Sequence, residues 1–544
     1  MLDRRSFLKT MAAGAATLQA APAKRPNIIV MMADDMGISD LGCYGSEIAT
    51  PNLDRLAKNG IRFTQFYNNA RCCPTRATLM TGVYPHQAGV GHMVEDYDVP
   101  GYKGDLSKEV VTIPEVLRPA GYRTAMSGKW HVTPYKPDAK HNWPLQRGFE
   151  KYYGIINGAA SYFQPASLTR DNTPIVAEGE NYYLTDAIAE NASKYIEEFG
   201  KGSDPFFLYV AFTSPHWPLH AMQSDIDKYK DRYNKGWDEL RAERHKKMIE
   251  LGIVDKKWAI TPRDDSAPSW KDAENKEWYA RRMAVYAAQI DRMDQNVGRI
   301  LDTLAKTGKT NDTLILFLAD NGGCAEELGA AQQQVYIPKT SIHGKPVVRG
   351  NNPALMPGED ETFQSYGLPW ANASNTPFRL FKHWVHEGGI ASPLIAHWPN
   401  GIAKKGTITH QMAHLMDVMA TCVDLGKATY PANYQGNKIK PFEGKSLTPV
   451  LEGKQRAGYT NGLFWEHEGN RAMRQGKWKL VAKNTRDWEL FDLDADRTEL
   501  HSVADKNPDR VKSMVSMYDA WSKRAGVEVF DEVKKRRKQP ARSK

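Results

Sequence analysis

Two uninterrupted apolar runs, NIIVMMA at 27–33 and TLILFLA at 313–319, each stop at a doublet of oxygen-bearing side chains. The first ends at Asp34-Asp35 and the second at Asp320-Asn321. A strand with apolar residues on both faces needs cover on both faces, which belongs to a parallel sheet rather than a half-solvated antiparallel one. Between the runs the signals alternate. Thr50 before Pro51 is the pattern of an N-cap with proline at the first helical position, and it predicts a helix through LDRLAKN to Gly60. IRFTQFYN, 61–68, reads as a second strand. Met283, Tyr286, Ile290, Met293, Val297, Ile300 and Leu304 recur at helical spacing, predicting a long helix that ends near Gly308 and feeds the second apolar run. The fold class that follows is α/β, a large, mostly parallel sheet sandwiched by helices. In such sheets ligands gather at the carboxyl ends of the strands.

The C-terminal part reads differently. NRAMRQGKWKLVAK and DWELFDLD alternate like a short antiparallel pair, and a helix is predicted from Pro508 to Arg524, together a small α+β subdomain. Residues 221–275, crowded with Lys, Asp and Glu among scattered Trp and Tyr, read as solvated helices and loops, with a substrate-facing lid as the alternative. The expected organisation is an export signal over 1–23, a catalytic domain over 24–445, a C-terminal subdomain over 446–533 and a basic tail over 534–544.

The formal charge of +9 sits at the ends: residues 1–23 carry +2 and the tail KKRRKQPARSK carries +7, leaving the body neutral. A nucleic-acid partner is therefore not expected, and the tail reads as a solvated end. At the N-terminus Arg4-Arg5 precedes Phe7, Leu8 and Lys9, followed by a mild Ala-rich run and Ala21-Pro22-Ala23. This resembles a twin-arginine export signal, implying the twin-arginine translocase as a partner and a periplasmic or extracellular location. No other segment has the apolar length of a membrane span. The five cysteines, Cys43, Cys72, Cys73, Cys324 and Cys422, are too few and too irregular for a disulfide framework and lack zinc-ligand spacing.

Three carboxylates and an amide at two strand ends are hard oxygen donors, suited to calcium or magnesium. Either doublet alone also serves as a turn; their shared position at strand ends is what gives them weight. RCCPTRATLMTG, 71–82, follows the second strand and places Cys72 just ahead of a short helix, ATLMT, where backbone N–H groups favour an anion and Arg76 adds a planar cation. A nucleophile beside an anion cradle and a divalent metal points to phosphoryl or sulfuryl transfer.

Cys72-Cys73-Pro74-Thr75-Arg76, continuing to Thr81-Gly82, resembles the Cys-x-Pro-x-Arg signature of the type I, formylglycine-dependent, arylsulfatase-like sulfatases of the alkaline-phosphatase superfamily. GKWH, 128–131, SPHWPLHA, 214–221, LADNGG and FRLFKHWVHEGGIASP are similar to further segments of that family in the same order. The resemblance implies an alkaline-phosphatase-like fold and hydrolysis of aryl or carbohydrate sulfate esters through a covalent sulfo-enzyme intermediate. It implies that a maturation enzyme oxidises Cys72 to formylglycine, with Cys73 a small packing neighbour, and that Asp34, Asp35, Asp320 and Asn321 hold Ca2+ or Mg2+. Arg76 would orient the nucleophile, Lys129 and Lys382 neutralise the sulfate, His216 protonate the leaving oxygen with a pKa near the working range, and His131 deprotonate the intermediate. His383 and His386 stand in the same segment as Lys382 and are alternative donors. Ala391 departs from the arginine common in relatives. Two alternatives remain: a formylglycine-dependent phosphonate monoester or phosphodiester hydrolase, and an inactive protein that binds sulfated glycans. Alone, His131 or His216 reads as a hydrogen-bonded structural histidine.

Overall fold

The computed structural model describes residues 25–179, 181–331 and 336–537. The expected export segment and residues 538–544 of the tail lie outside them. The central sheet is built on β1 (Asn27–Ala33), β2 (Ile61–Tyr67), β3 (Arg123–Gly128), β4 (Lys151–Ile155), β5 (Phe206–Ala211), β6 (Thr313–Ala319) and β7 (Ala391–His397). They lie in the order β2-β7-β6-β1-β5-β3-β4, and short edge strands bring the sheet to eleven. β1 pairs in parallel with β5 and β6, as β3 does with β4 and β5, while β7 runs antiparallel to β2 and β6.

Every residue of β1, β5 and β6 is buried. Successive side chains of β1 enter opposite layers: Ile29 and Met31 pack with the long helix, while Ile28, Val30 and Met32 pack with the Cys72 helix. This is the two-faced burial that the continuous apolar runs predict. The helices that matter below are α1 (Pro51–Lys58), α2 (Cys72–Thr81), α3 (Leu184–Gly200), α4 (Gly236–Glu250), α5 (Lys276–Lys306) and α6 (Pro508–Ala525).

Several elements depart from the sequence reading. Cys72 is the first residue of α2, with Arg71 as its N-cap, rather than a residue ahead of a shorter helix. Thr50 does cap α1 by position, but its hydroxyl accepts from the Gly42 amide and donates to the Asp54 carboxylate instead of accepting from a backbone amide of the helix's first turn. Residues 221–275 are not merely solvated: Trp237 and Arg244 of α4 are buried, and Arg244 pairs with Asp40 at 2.6 Å and Glu47 at 2.9 Å. The C-terminal antiparallel sheet has four strands, β8 (Leu463–His467), β9 (Asn470–Gln475), β10 (Trp478–Ala482) and β11 (Glu489–Asp492), backed by α6.

Candidate active site at the carboxyl edge of the sheet

Parallel pairing brings strand ends into line. Ala33 of β1 stands opposite Ala319 of β6, and Gly128 of β3 opposite Ala211 of β5. The segments that leave β1, β2, β3, β5 and β6 therefore emerge along one edge, carrying respectively Asp34-Asp35, Cys72, Lys129 and His131, His216, and Asp320-Asn321. Antiparallel β7 begins at that same edge, which lets the segment preceding it deliver Lys382 there. Backbone bonds lock the junction: the Asp320 amide donates to Ala33 O at 3.1 Å and the Asp34 amide to Ser214 O at 2.9 Å.

The side chains interlock. Lys129 Nζ is 2.6 Å from Asp34 Oδ2, Arg76 Nη2 is 2.9 Å from Asp320 Oδ2, and Lys382 Nζ is 2.9 Å from Asp35 Oδ2. Asn321 donates its amide to Asp35 Oδ1 at 2.7 Å. His216 Nε2 lies 3.3 Å from Asp35 Oδ2 and 3.4 Å from Lys382 Nζ. Of the two alternatives near Lys382, His383 faces Glu326 and Glu468, and His386 faces Glu489, so Lys382 is the member of the segment that enters this cluster.

Burial strongly raises the Asp320 carboxyl, reinforced by the neighbouring Asp34 charge. Asp34 is raised too, burial outweighing Lys129 and Arg76. Burial also pushes Asp35 upward, but His216 and Lys382 together outweigh it and hold this carboxyl below its usual range. Asp34 Oδ1 and Asn321 Oδ1 are buried with no hydrogen-bond partner. Two orphaned hard oxygens among three crowded carboxylates fit a divalent cation of the calcium or magnesium class. Asp34, Asp35 and His216 also present ligand atoms within 4.8 Å of one another.

The paired cysteines have opposite characters. A hydrogen bond from Cys73 drives the Cys72 thiol well below its ordinary pKa, with burial opposing and Lys129 and His131 assisting. Cys73 is pushed well above, by burial first and by Cys72 second. Cys73 Sγ is also 3.2 Å from His131 Nε2, so it is more than a packing neighbour. Burial lowers both His131 and His216 to about 4, against the expectation of a His216 pKa near the working range. His216 Nδ1 faces the Trp217 carbonyl at 2.7 Å. A carbonyl only accepts, so Nδ1 carries the proton and neutral His216 turns a bare Nε2 toward Lys382.

A cavity of about 540 Å³ opens over Cys72, His131, His216 and Lys382. Its outer wall includes Arg71, His92, Trp217, Glu326 and Tyr336, none of which sequence reasoning found. Arg71 and Glu326 pair at 3.0 Å, and the Trp217 indole donates to Glu326 at 2.8 Å.

Residues 26–428 match the sulfatase family, and residues 378–519 match the C-terminal region of N-sulphoglucosamine sulphohydrolase. The chain belongs to the sulfatase family. This sulfatase is 34% identical to an uncharacterized sulfatase of Schizosaccharomyces pombe, over 93% of its own length and 95% of the relative's. It is 33% identical to the arylsulfatase of Klebsiella aerogenes, over 80% of its length and 94% of that enzyme's. Among solved structures it resembles Ps i-CgsB in complex with k-i-k-neocarrahexaose, with a TM-score of 0.65, 24% identity and coverage of 92% and 93% of the two chains. The sulfatase is a sulfuric ester hydrolase on an alkaline-phosphatase-like fold. No helix among the described residues is long and apolar enough to cross a membrane.

Proposed function

We propose that this sulfatase hydrolyses sulfate esters of aryl alcohols or sugars through a formylglycine made from Cys72 by a maturation enzyme. In this reading Asp34, Asp35, Asp320 and Asn321 hold calcium or magnesium, and the protein is exported through the twin-arginine translocase. One observation carries the reading: Cys72, His131, His216 and Lys382 line one cavity, and Lys382, Lys129 and Arg76 each pair with a carboxylate of the buried acidic cluster. When formed, the formylglycine supplies a hydrated aldehyde hydroxyl as nucleophile, and the bound metal supplies a Lewis acid for a sulfate oxygen.

The chain's own residues do the rest. Lys129 and Lys382 neutralise the sulfate oxygens in a pocket where burial strengthens each charge. Arg76 is fixed by Asp320 and by the Lys129 carbonyl at 3.0 Å, and so holds the start of α2 in orientation. His216 Nε2 delivers a proton to the departing alcohol oxygen. Burial keeps it neutral, and it gains proton affinity when an anionic ester arrives beside it. His131 Nε2, beside the two cysteines, withdraws the proton that lets sulfate leave.

The deciding measurement is the mass of the tryptic peptide from Cys72 to Arg76, with a hydrazide trap, on protein made in a host that matures other sulfatases. An aldehyde at position 72 together with turnover of an aryl sulfate is the expected result. An intact thiol overturns the nucleophile, and faster turnover of a matched aryl phosphonate overturns the substrate class.

A further inference from the structure

The rim of the cavity carries a second cluster of metal-ligating side chains that the sulfatase chemistry does not use. His92 Nε2 lies 2.9 Å from Glu468 Oε1, and His467 Nε2 lies 3.7 Å from the same oxygen. One ligand atom from each of His92, His467 and Glu468 falls within 4.8 Å of the others. The His92 and His467 rings are stacked, with centroids 5.5 Å apart.

Three features separate this cluster from a simple ion pair. His467 is fully buried, yet neither of its ring nitrogens has a hydrogen-bond partner. A buried imidazole left in that state carries a desolvation cost that a coordinated ion removes. His92 is oriented from behind, its Nδ1 held by the Tyr97 hydroxyl at 3.2 Å, leaving Nε2 to face the cluster. The second oxygen of Glu468 is held by His383 Nδ1 at 3.0 Å, which fixes the carboxylate plane. Outer hydrogen bonds of this kind set tautomer and orientation in metal centres.

We infer that His92, His467 and Glu468 form a transition-metal site of the zinc class, distinct from the hard-oxygen cluster beneath Cys72. Two imidazoles and a carboxylate suit zinc and leave a fourth position free. His92 also lines the cavity, so that free position is placed for a water or an oxygen of the bound ester's alcohol portion. The ligands come from distant segments: His467 ends β8, Glu468 starts the turn into β9, and His92 belongs to a loop after α2. A metal here therefore ties the C-terminal sheet to the wall of the active site.

The test is zinc titration calorimetry on full-length, calcium-saturated protein, with thermal melting alongside, for the parent, His92→Ala and His467→Ala. The parent is expected to bind one zinc equivalent and to melt higher with zinc. Losing an outer hydrogen-bond partner costs metal sites up to about 100-fold in affinity, so losing a ligand should cost at least that in each variant. His92 is partly exposed, so its variant keeps the test sound where His467→Ala fails to fold. No zinc binding by the parent, or unchanged affinity in His92→Ala, overturns the site. So does zinc binding lost only in Cys73→Ala, since that places the ion among Cys72, Cys73 and His131.

Discussion

Gly158 sets how closely the chain runs past His131: a Cβ built there would sit 2.1 Å from His131 Cε1. Gly158→Ala must displace the imidazole, and a displacement of about 1 Å at a reacting group costs on the order of 100-fold. A loss of that size in kcat on an aryl sulfate, with little change in KM, is the expected reading. Cys72→Ala abolishes turnover, whereas Cys73→Ala leaves turnover measurable with a shifted pH profile, since it removes the thiol that touches His131. Steady-state kinetics on both, with melting curves to show intact folding, checks the assignment; an inactive, folded Cys73→Ala alone would mean that the wrong cysteine was chosen. At this scale the sequence was informative where chemistry abuts a pattern: Asp34, Asp35, Asp320 and Asn321 each follow an apolar run, and Cys72 and Arg76 sit inside a short motif. His92, Glu326 and Tyr336 had no such marker, because loop residues that line a cavity have neither periodicity nor fixed spacing.

Among elements, the decisive contact is the one between β3 and β5. Gly128 closes β3 with φ of 122°, and a Cβ there would fall 1.9 Å from Ala211 O. Gly128→Ala has to push β3 off β5 just before Lys129, so both a lowered melting temperature and a loss of activity are expected. A variant that melts and turns over normally would show that the strand end tolerates the shift. β1 and β6 were legible as doubly covered strands because six consecutive apolar residues, 28–33 and 314–319, admit little else. ASPLIAH of β7 was not, since its antiparallel direction depends on partners far away in the chain. LFWEH of β8 was missed because its apolar run is only three residues long before a Glu and a His; both are nonetheless buried, and Glu466 pairs with buried His86 at 2.7 Å.

Across the whole molecule, a buried charge network joins the C-terminal sheet to the catalytic part. Lys479 of β10 lies 3.0 Å from Glu387 and 2.8 Å from Glu499, and Arg497 lies 3.0 Å from Glu387, with all these side chains essentially inaccessible. Burial favours a neutral Glu387, but Lys479, Arg497 and Arg474 together lower it to about 2. Lys479→Ala leaves carboxylates buried without their partner and is expected to cost about 3–5 kcal/mol in denaturant unfolding. Acid acts through other groups. Burial lowers His220 to about 4 and His414 to about 3, whereas both titrate near 6.5 once unfolded. Below pH 6.5 the unfolded chain takes up protons that the folded one refuses, so stability falls with pH and the loss saturates only below those lowered values. By pH 5 each contributes about 2 kcal/mol of destabilisation, visible as a lower melting temperature than at pH 7. All ten residues of α2 are buried, Cys72 at its head being 2% exposed. In the function proposed above, a catalyst that rewrites the Cys72 side chain has to meet it while the chain is still open, and a translocase that moves folded cargo has to wait until afterwards. On that proposal the burial of one helix sets a timetable of synthesis: oxidation, then closure, then departure from the cytoplasm.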